Sequence, residues 1–220
     1  MRRGAVVAVV AVLVLVVLAV VGDRAAVAVA QSKVSEQVSA ELPGARDVTT
    51  TITGFPALTQ VLRGSLDHVV VTARDVPTER GTLDSVVVDL YDVTTSAPRT
   101  AGTVESTAVV PLALVHEGLG DSWDLSVVGD ALKAEFTGAV YASATVVPVV
   151  SDGRISLDLR SFSLLGLEVS GDSVPEFVTR ALNDMVGTVG DLPFGLTPTA
   201  VTVTPQGVEV VARGTDVPLG

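Results

Sequence analysis

The side chains able to do chemistry are few. Two histidines each stand beside a carboxylate, His68 after Asp67 and His116 before Glu117. A histidine next to an acid can serve as a general base or a metal ligand. Neither has a second ligand at the short spacing a zinc site uses, so both read as polar positions at the ends of elements. Gly120-Asp121-Ser122 and Gly171-Asp172-Ser173 have the look of a Gly-Asp-Ser esterase nucleophile segment. No Asp-x-x-His follows near the C-terminus to complete a triad, and there is no G-x-S-x-G, phosphate-binding loop or dinucleotide glycine pattern. Asp89 and Asp92 bring two acids together, but at positions that read as the solvated face of a sheet. The chain has no cysteine, which excludes a disulfide framework and thiolate chemistry. No catalytic residue, metal site or cofactor is expected.

Composition narrows the partners. A formal net charge of −11 over 220 residues argues against nucleic acid, which needs a basic surface, and against a purely electrostatic hold on anionic lipid. With 48% hydrophobic but only 4% aromatic residues, the core must be built from Val, Ala and Leu, a composition that favours strands.

The N-terminus directs the chain out of the cytoplasm. Arg2 and Arg3 precede an apolar run over residues 5–21, which as a helix reaches about 26 Å, the short limit for a membrane span. Two readings stand: an uncleaved anchor with its positive flank inside, or a signal peptide cut after Ala28-Val29-Ala30. The division is therefore 1–23, anchor or signal peptide, and 24–220, one folded domain on the extracytoplasmic side of the membrane.

A helix is expected over residues 24–42, with Asp23 as its cap and Val27, Ala30, Val34, Val38 and Leu42 on one face. The stretch that organises the rest is residues 49–76. Thr51 and Thr53 alternate with Ile52, and Val69, Val71 and Ala73 alternate with Val70, Thr72 and Arg74, so two strands flank a corner. In the corner Gly54 supplies an unusual backbone angle, Pro56 fixes its own, and Leu58, Val61 and Leu62 form a short apolar helical face before Gly64. Phe55, Leu58 and Leu62 either cap the end of a core or line the mouth of an apolar pocket.

Further strands are expected over residues 83–93, 103–110, 123–128, 134–150, 155–159, 200–203 and 208–213, with a short helix over 111–118 and a hairpin at Asp152-Gly153. A second helix is marked by the Ser173/Glu176 capping box and the apolar spacing of Phe177, Val178, Ala181, Leu182, Met185 and Val186. Many strands with amphipathic helices make the class α+β with antiparallel pairing.

Gly54-Phe55-Pro56-Ala57-Leu58-Thr59-Gln60 followed by Gly64, the later Leu192-Pro193-Phe194-Gly195-Leu196, and Gly207 in the closing hairpin resemble the pattern of the LmeA-like phospholipid-binding proteins of actinobacteria. One departure is Ala57, where such proteins often carry an aromatic residue. The resemblance implies an envelope protein with a fold similar to the lipid-binding domains of bactericidal/permeability-increasing protein: a long curved antiparallel sheet wrapped around amphipathic helices, with an apolar groove for acyl chains. It implies phospholipid as the ligand and a role in maturing mannosylated envelope lipids, beside an envelope biosynthetic enzyme as partner. On that footing Phe55, Leu58, Leu62, Phe177, Leu182, Met185, Phe194 and Leu196 line the groove, and Gly54, Pro56, Gln60 and Gly64 shape it. Two alternatives remain: a scaffold with a filled core, and a hydrolase or transferase acting on lipid-linked glycans.

Overall fold

The computed structural model describes residues 2–41, 43–78, 81–138, 141–169 and 192–219, and in the first helix most side chains from Val14 onward. Helix α1 (Arg2–Glu41) leads into strand β1 (Arg46–Thr53), helix α2 (Ala57–Arg63) and the long strands β2 (Ser65–Thr78), β3 (Gly81–Thr94) and β4 (Thr100–Pro111). Helix α3 (Leu112–Leu119) follows, then β5 (Trp123–Val128), β6 (Ala131–Phe136), β7 (Ala142–Ser151), β8 (Arg154–Leu164) and β9 (Leu167–Val169). A 3-10 turn at Pro193–Gly195 precedes β10 (Thr197–Thr204) and β11 (Gly207–Pro218). The helix expected over 173–187, with Phe177, Leu182 and Met185, lies outside the described residues.

The strands form two antiparallel sheets, ordered β1-β2-β3-β4-β11-β10 and β5-β6-β7-β8-β9, and neither closes on itself. They meet at one end of the larger sheet, where Val203, Val208 and Val210 pack with Trp123, Leu125, Leu132, Val146 and Ile155 of the smaller. The single strand expected over 134–150 is two. Thr137 donates its N–H and hydroxyl to the Ser122 carbonyl, at 2.8 and 3.1 Å, which turns the chain out of β6. The Phe136 ring lies where a Cβ on Gly138 would stand.

The long strands carry a device that strict alternation does not predict. Leu90 and Val93 should point to opposite faces of β3, yet both pack with Ala101, Val104 and Val217. Between them Asp92 has φ 53°, and one left-handed residue breaks the pleat and shifts the alternation by one. The same happens at Asp75 (φ 47°), between buried Ala73 and Val76, and at Asp216 (φ 51°), between buried Ala212 and Val217. Aspartate tolerates this region better than most residues. The pairing register sets Asp92 and Asp216 on either side of Gly102 in β4, so that three strands bend along one line.

Helix α1 departs from expectation. It is one helix from Arg2 to Glu41 with no break at Gly22, so Asp23 is interior to it and does not cap it. The stripe turned inward is Asp23, Val27, Gln31, Val34, Ser35 and Val38; Ala30 is exposed. From Asp23 to Glu41 the helix is about 27 Å long, matching the roughly 26 Å of β1, along which it runs back. Its first twenty-odd residues therefore project past the end of the larger sheet.

Two measurements check these features. Asp92→Val should destabilise the fold by about 1–2 kcal/mol in urea unfolding, because a β-branched residue resists φ near +50°, whereas Asp92→Gly should be close to neutral. At the rim of the smaller sheet, Arg160 donates two hydrogen bonds of 2.7 Å to Asp130 and holds its carboxyl below the ordinary aspartate value. A carboxyl depressed in the folded state stabilises above its unfolded pKa and loses that contribution as pH falls through the folded one. NMR titration should give Asp130 a low midpoint that moves back up in Arg160→Ala.

Candidate functional site

The corner between β1 and β2 is built around one buried amide. Gln60, 1% exposed, donates Nε2 to the Thr53 carbonyl at 3.4 Å and accepts the Asp67 N–H on Oε1 at 2.9 Å, clamping the two strand ends together. Gly54 is required twice over: its φ is +96°, and a Cβ there would stand 2.2 Å from Gln60 Nε2. Pro56 stands at the N-cap of α2, and Gly64 ends the helix in the left-handed conformation, its N–H returning to the last turn. The Gly64 carbonyl accepts the Thr95 N–H at 3.0 Å, tying the corner to the β3–β4 turn.

The first turn of α2 has no side-chain cap of its own. The Leu58 N–H is instead bound by Oδ1 of Asp23, on α1, at 2.8 Å. Asp23 is 2% exposed, and its Oδ2 has no partner among the described residues. The Arg24 guanidinium lies 5.7 Å from the centre of the Phe55 ring, within cation–π range. Ala57 and Gln60 thus face inward, while Phe55, Leu58, Val61 and Leu62 are 56, 46, 52 and 86% exposed.

Strand register places these residues relative to the other predicted positions. Thr53 pairs with His68, His68 with Tyr91 and Tyr91 with Thr103, so α2, the β3–β4 turn and the start of β10 stand at one end of the larger sheet. Phe194 is exposed there at φ 60°, on the 3-10 turn, and Leu196 tucks against Gly214 and the core around Val217. Phe55, Leu58, Leu62 and Phe194 therefore share an end of the sheet.

An apolar floor lies beside them. Ile52, Val69, Leu90 and Val104 form one row across β1 to β4, followed by Thr50, Val71 and Val88, then Ala73, Val86 and Ala108. Val71, Val86, Val88 and Leu90 are only half-buried. Alternation puts Val69, Val71 and Ala73 on one face of β2 and Val86, Val88 and Leu90 on one face of β3; the register adds that the two faces are the same one.

The opposite face is polar. His68 bonds Asp89 through Nε2 at 2.8 Å and Thr53 Oγ1 through Nδ1 at 3.0 Å, and stacks on Tyr91 at 4.4 Å. The order hydroxyl, imidazole, carboxylate is that of a nucleophile relay, but it lies across three neighbouring strands, where it joins them as cross-strand pairs do. His116 donates Nε2–H to the Trp123 carbonyl at 2.6 Å, a structural bond. Among the described residues no group of three or more His, Asp or Glu is placed to hold a metal. Nor, among them, is any helix long and apolar enough to cross a membrane.

The family model for LmeA-like phospholipid-binding proteins matches residues 21–213. The chain belongs to that family. No curated protein and no solved structure matches it. The LmeA-like match begins just before Asp23 and takes in α2, its glutamine clamp, the apolar floor and the 3-10 turn.

The roles within the corner predict a split. Gln60→Leu keeps the volume but strands the Asp67 N–H and Thr53 carbonyl, and should cost about 1–3 kcal/mol in chemical unfolding. Leu62→Ser should change stability by less than about 0.5 kcal/mol, because that side chain is spent on the surface.

Proposed function

We propose that the protein is a non-enzymatic phospholipid-binding protein of the cell envelope that holds acyl chains on the apolar floor of its larger sheet. The observation that carries this reading is membership of the LmeA-like family over residues 21–213. Binding of this kind needs no reactive group. Each acyl CH₂ removed from water contributes about 0.8 kcal/mol, so partial burial of two chains suffices before any headgroup contact. Val71, Val86, Val88 and Leu90 supply the floor, Phe55, Leu58 and Leu62 the rim at α2, and Phe194 and Leu196 the rim at β10. Phe177, Leu182 and Met185 complete the lining by the family resemblance. The long strands, bent at Asp75, Asp92 and Asp216, favour a sheet curved around its ligand in the manner of the bactericidal/permeability-increasing protein domains.

Helix α1 is the membrane attachment in this reading. Val14, Val16, Val17, Val20 and Val21 are exposed over about half of the helix circumference, an apolar surface that water does not favour. With Arg2 and Arg3 inside, the domain stands on the outer side of the cytoplasmic membrane, where it would support envelope lipid or lipoglycan maturation beside a biosynthetic enzyme.

Native mass spectrometry of the full chain, prepared gently from a lipid-containing host, tests the proposal. Phospholipid should be retained, and Val88→Gln should reduce its occupancy several-fold while the protein stays folded. A folded protein with no bound lipid, and no uptake of fluorescent phospholipid, would favour a scaffold with a filled interior.

A further inference from the structure

From the way α2 is fastened to α1, we infer that α2 is an interfacial foot: it seats Phe55, Leu58, Val61 and Leu62 in the surface layer of a phospholipid bilayer, at a depth set by Asp23. The inference rests on α1 entering that bilayer and goes beyond it, since an anchored domain can equally stand clear of the membrane on its stalk.

Three observations converge. The first is position. Asp23 lies two residues past Val21, the last residue of the apolar run, and its bond to the Leu58 N–H fixes α2 beside the point where the run ends. Wherever the run enters lipid, α2 is at the boundary. The second is exposure. Leu58, Val61 and Leu62 point outward from a helix of seven residues, with Phe55 exposed just before it, although Gln60 and Ala57 show that the same helix has a well-packed inner face. Phe194 is exposed at the same end of the sheet. The third is charge. In a chain of net charge −11, three arginines gather at this boundary, Arg24 against Phe55, Arg63 in the last turn of α2 and Arg99 in the β3–β4 turn, against buried Asp23 and the Asp67 that pairs with Arg63. Of the acids at this end, Asp67 lies at the corner itself, its carboxylate beside Gly54, while Asp92 and Asp216 sit about two residues deeper along their strands, roughly 7 Å. Arg63 pairs with Asp67 at 3.7 Å, with both side chains more than half exposed. Apolar side chains rimmed by guanidinium groups match a bilayer surface, apolar below and phosphate-bearing above.

The geometry also gives Asp23 a purpose. A carboxyl in the middle of a helix and next to its apolar run is costly unless it binds something. Here it caps a second helix, and so fastens α2 to α1 at that point.

The chain has no cysteine, so single cysteines can carry an environment-sensitive fluorophore without background. The full chain, labelled in turn at Leu62→Cys, Val16→Cys and Val128→Cys, is reconstituted in phosphatidylcholine/phosphatidylglycerol vesicles and quenched with iodide. Val128, 53% exposed on the smaller sheet, is the control. The expected result is blue-shifted emission and several-fold slower quenching at 62 than at 128, with the label about 5–10 Å deep by lipid-borne quenchers. Protection at 16 but not at 62 overturns the foot and leaves the anchor standing; loss of protection at both overturns both. Protection at 62 without protection at 16 removes the anchor and overturns the inference that rests on it. Protection at 62 that rises with protein density in the vesicle means that a second copy covers α2, and also overturns the inference. Asp23→Ala should loosen the depth at 62 and leave 16 unchanged, whereas Asp23→Asn, which keeps an acceptor for Leu58, should behave as the parent; unchanged depth in Asp23→Ala removes the role of Asp23.

Discussion

A strand offers every second side chain to a given face, and a strand of twelve to fourteen residues twists too far for one plane to serve its whole length. The larger sheet depends on how that constraint is met. At Asp75, Asp92 and Asp216 the backbone enters the left-handed region and the alternation restarts one residue out of step. The result is that Val93, Ala101 and Val217 join Leu90 and Val104 in one cluster. Without these steps Val76, Val93 and Val217, which follow them near the strand ends, would turn away from the face that the preceding apolar residues share. The apolar floor, and the placing of α2 and the 3-10 turn at one end of it, follow from the continuous register that these bends preserve.

The elements of the fold were largely legible because their signals are local. Alternation marked the strands of the larger sheet, Asp152-Gly153 marked the β7–β8 hairpin, and Gly54, Pro56 and Gly64 bounded the corner. What was not legible depended on partners distant in sequence. The division into two sheets turns on which strands pair, and the break between β6 and β7 depends on a carbonyl at Ser122. An aspartate within a strand pattern reads as a solvent-facing residue; its backbone angle is invisible.

The site divides in the same way. The glycines and Gln60 stand out in the sequence because the corner needs them for shape, and shape leaves a motif. Asp23 was visible only as a polar residue after an apolar run, which is the usual look of a helix cap. It does cap a helix, but one 35 residues further along the chain. The floor residues are valines among many valines and carry no mark of their own.

The unbroken course of α1 through Gly22 has a mechanical consequence. A domain on a flexible linker explores a volume that grows with linker length and meets its surroundings in any orientation. A domain whose edge strand is bound along the same rod that leaves it has neither freedom. Its reach is that of a fixed bracket, and the direction in which its apolar floor faces is set by the rod itself.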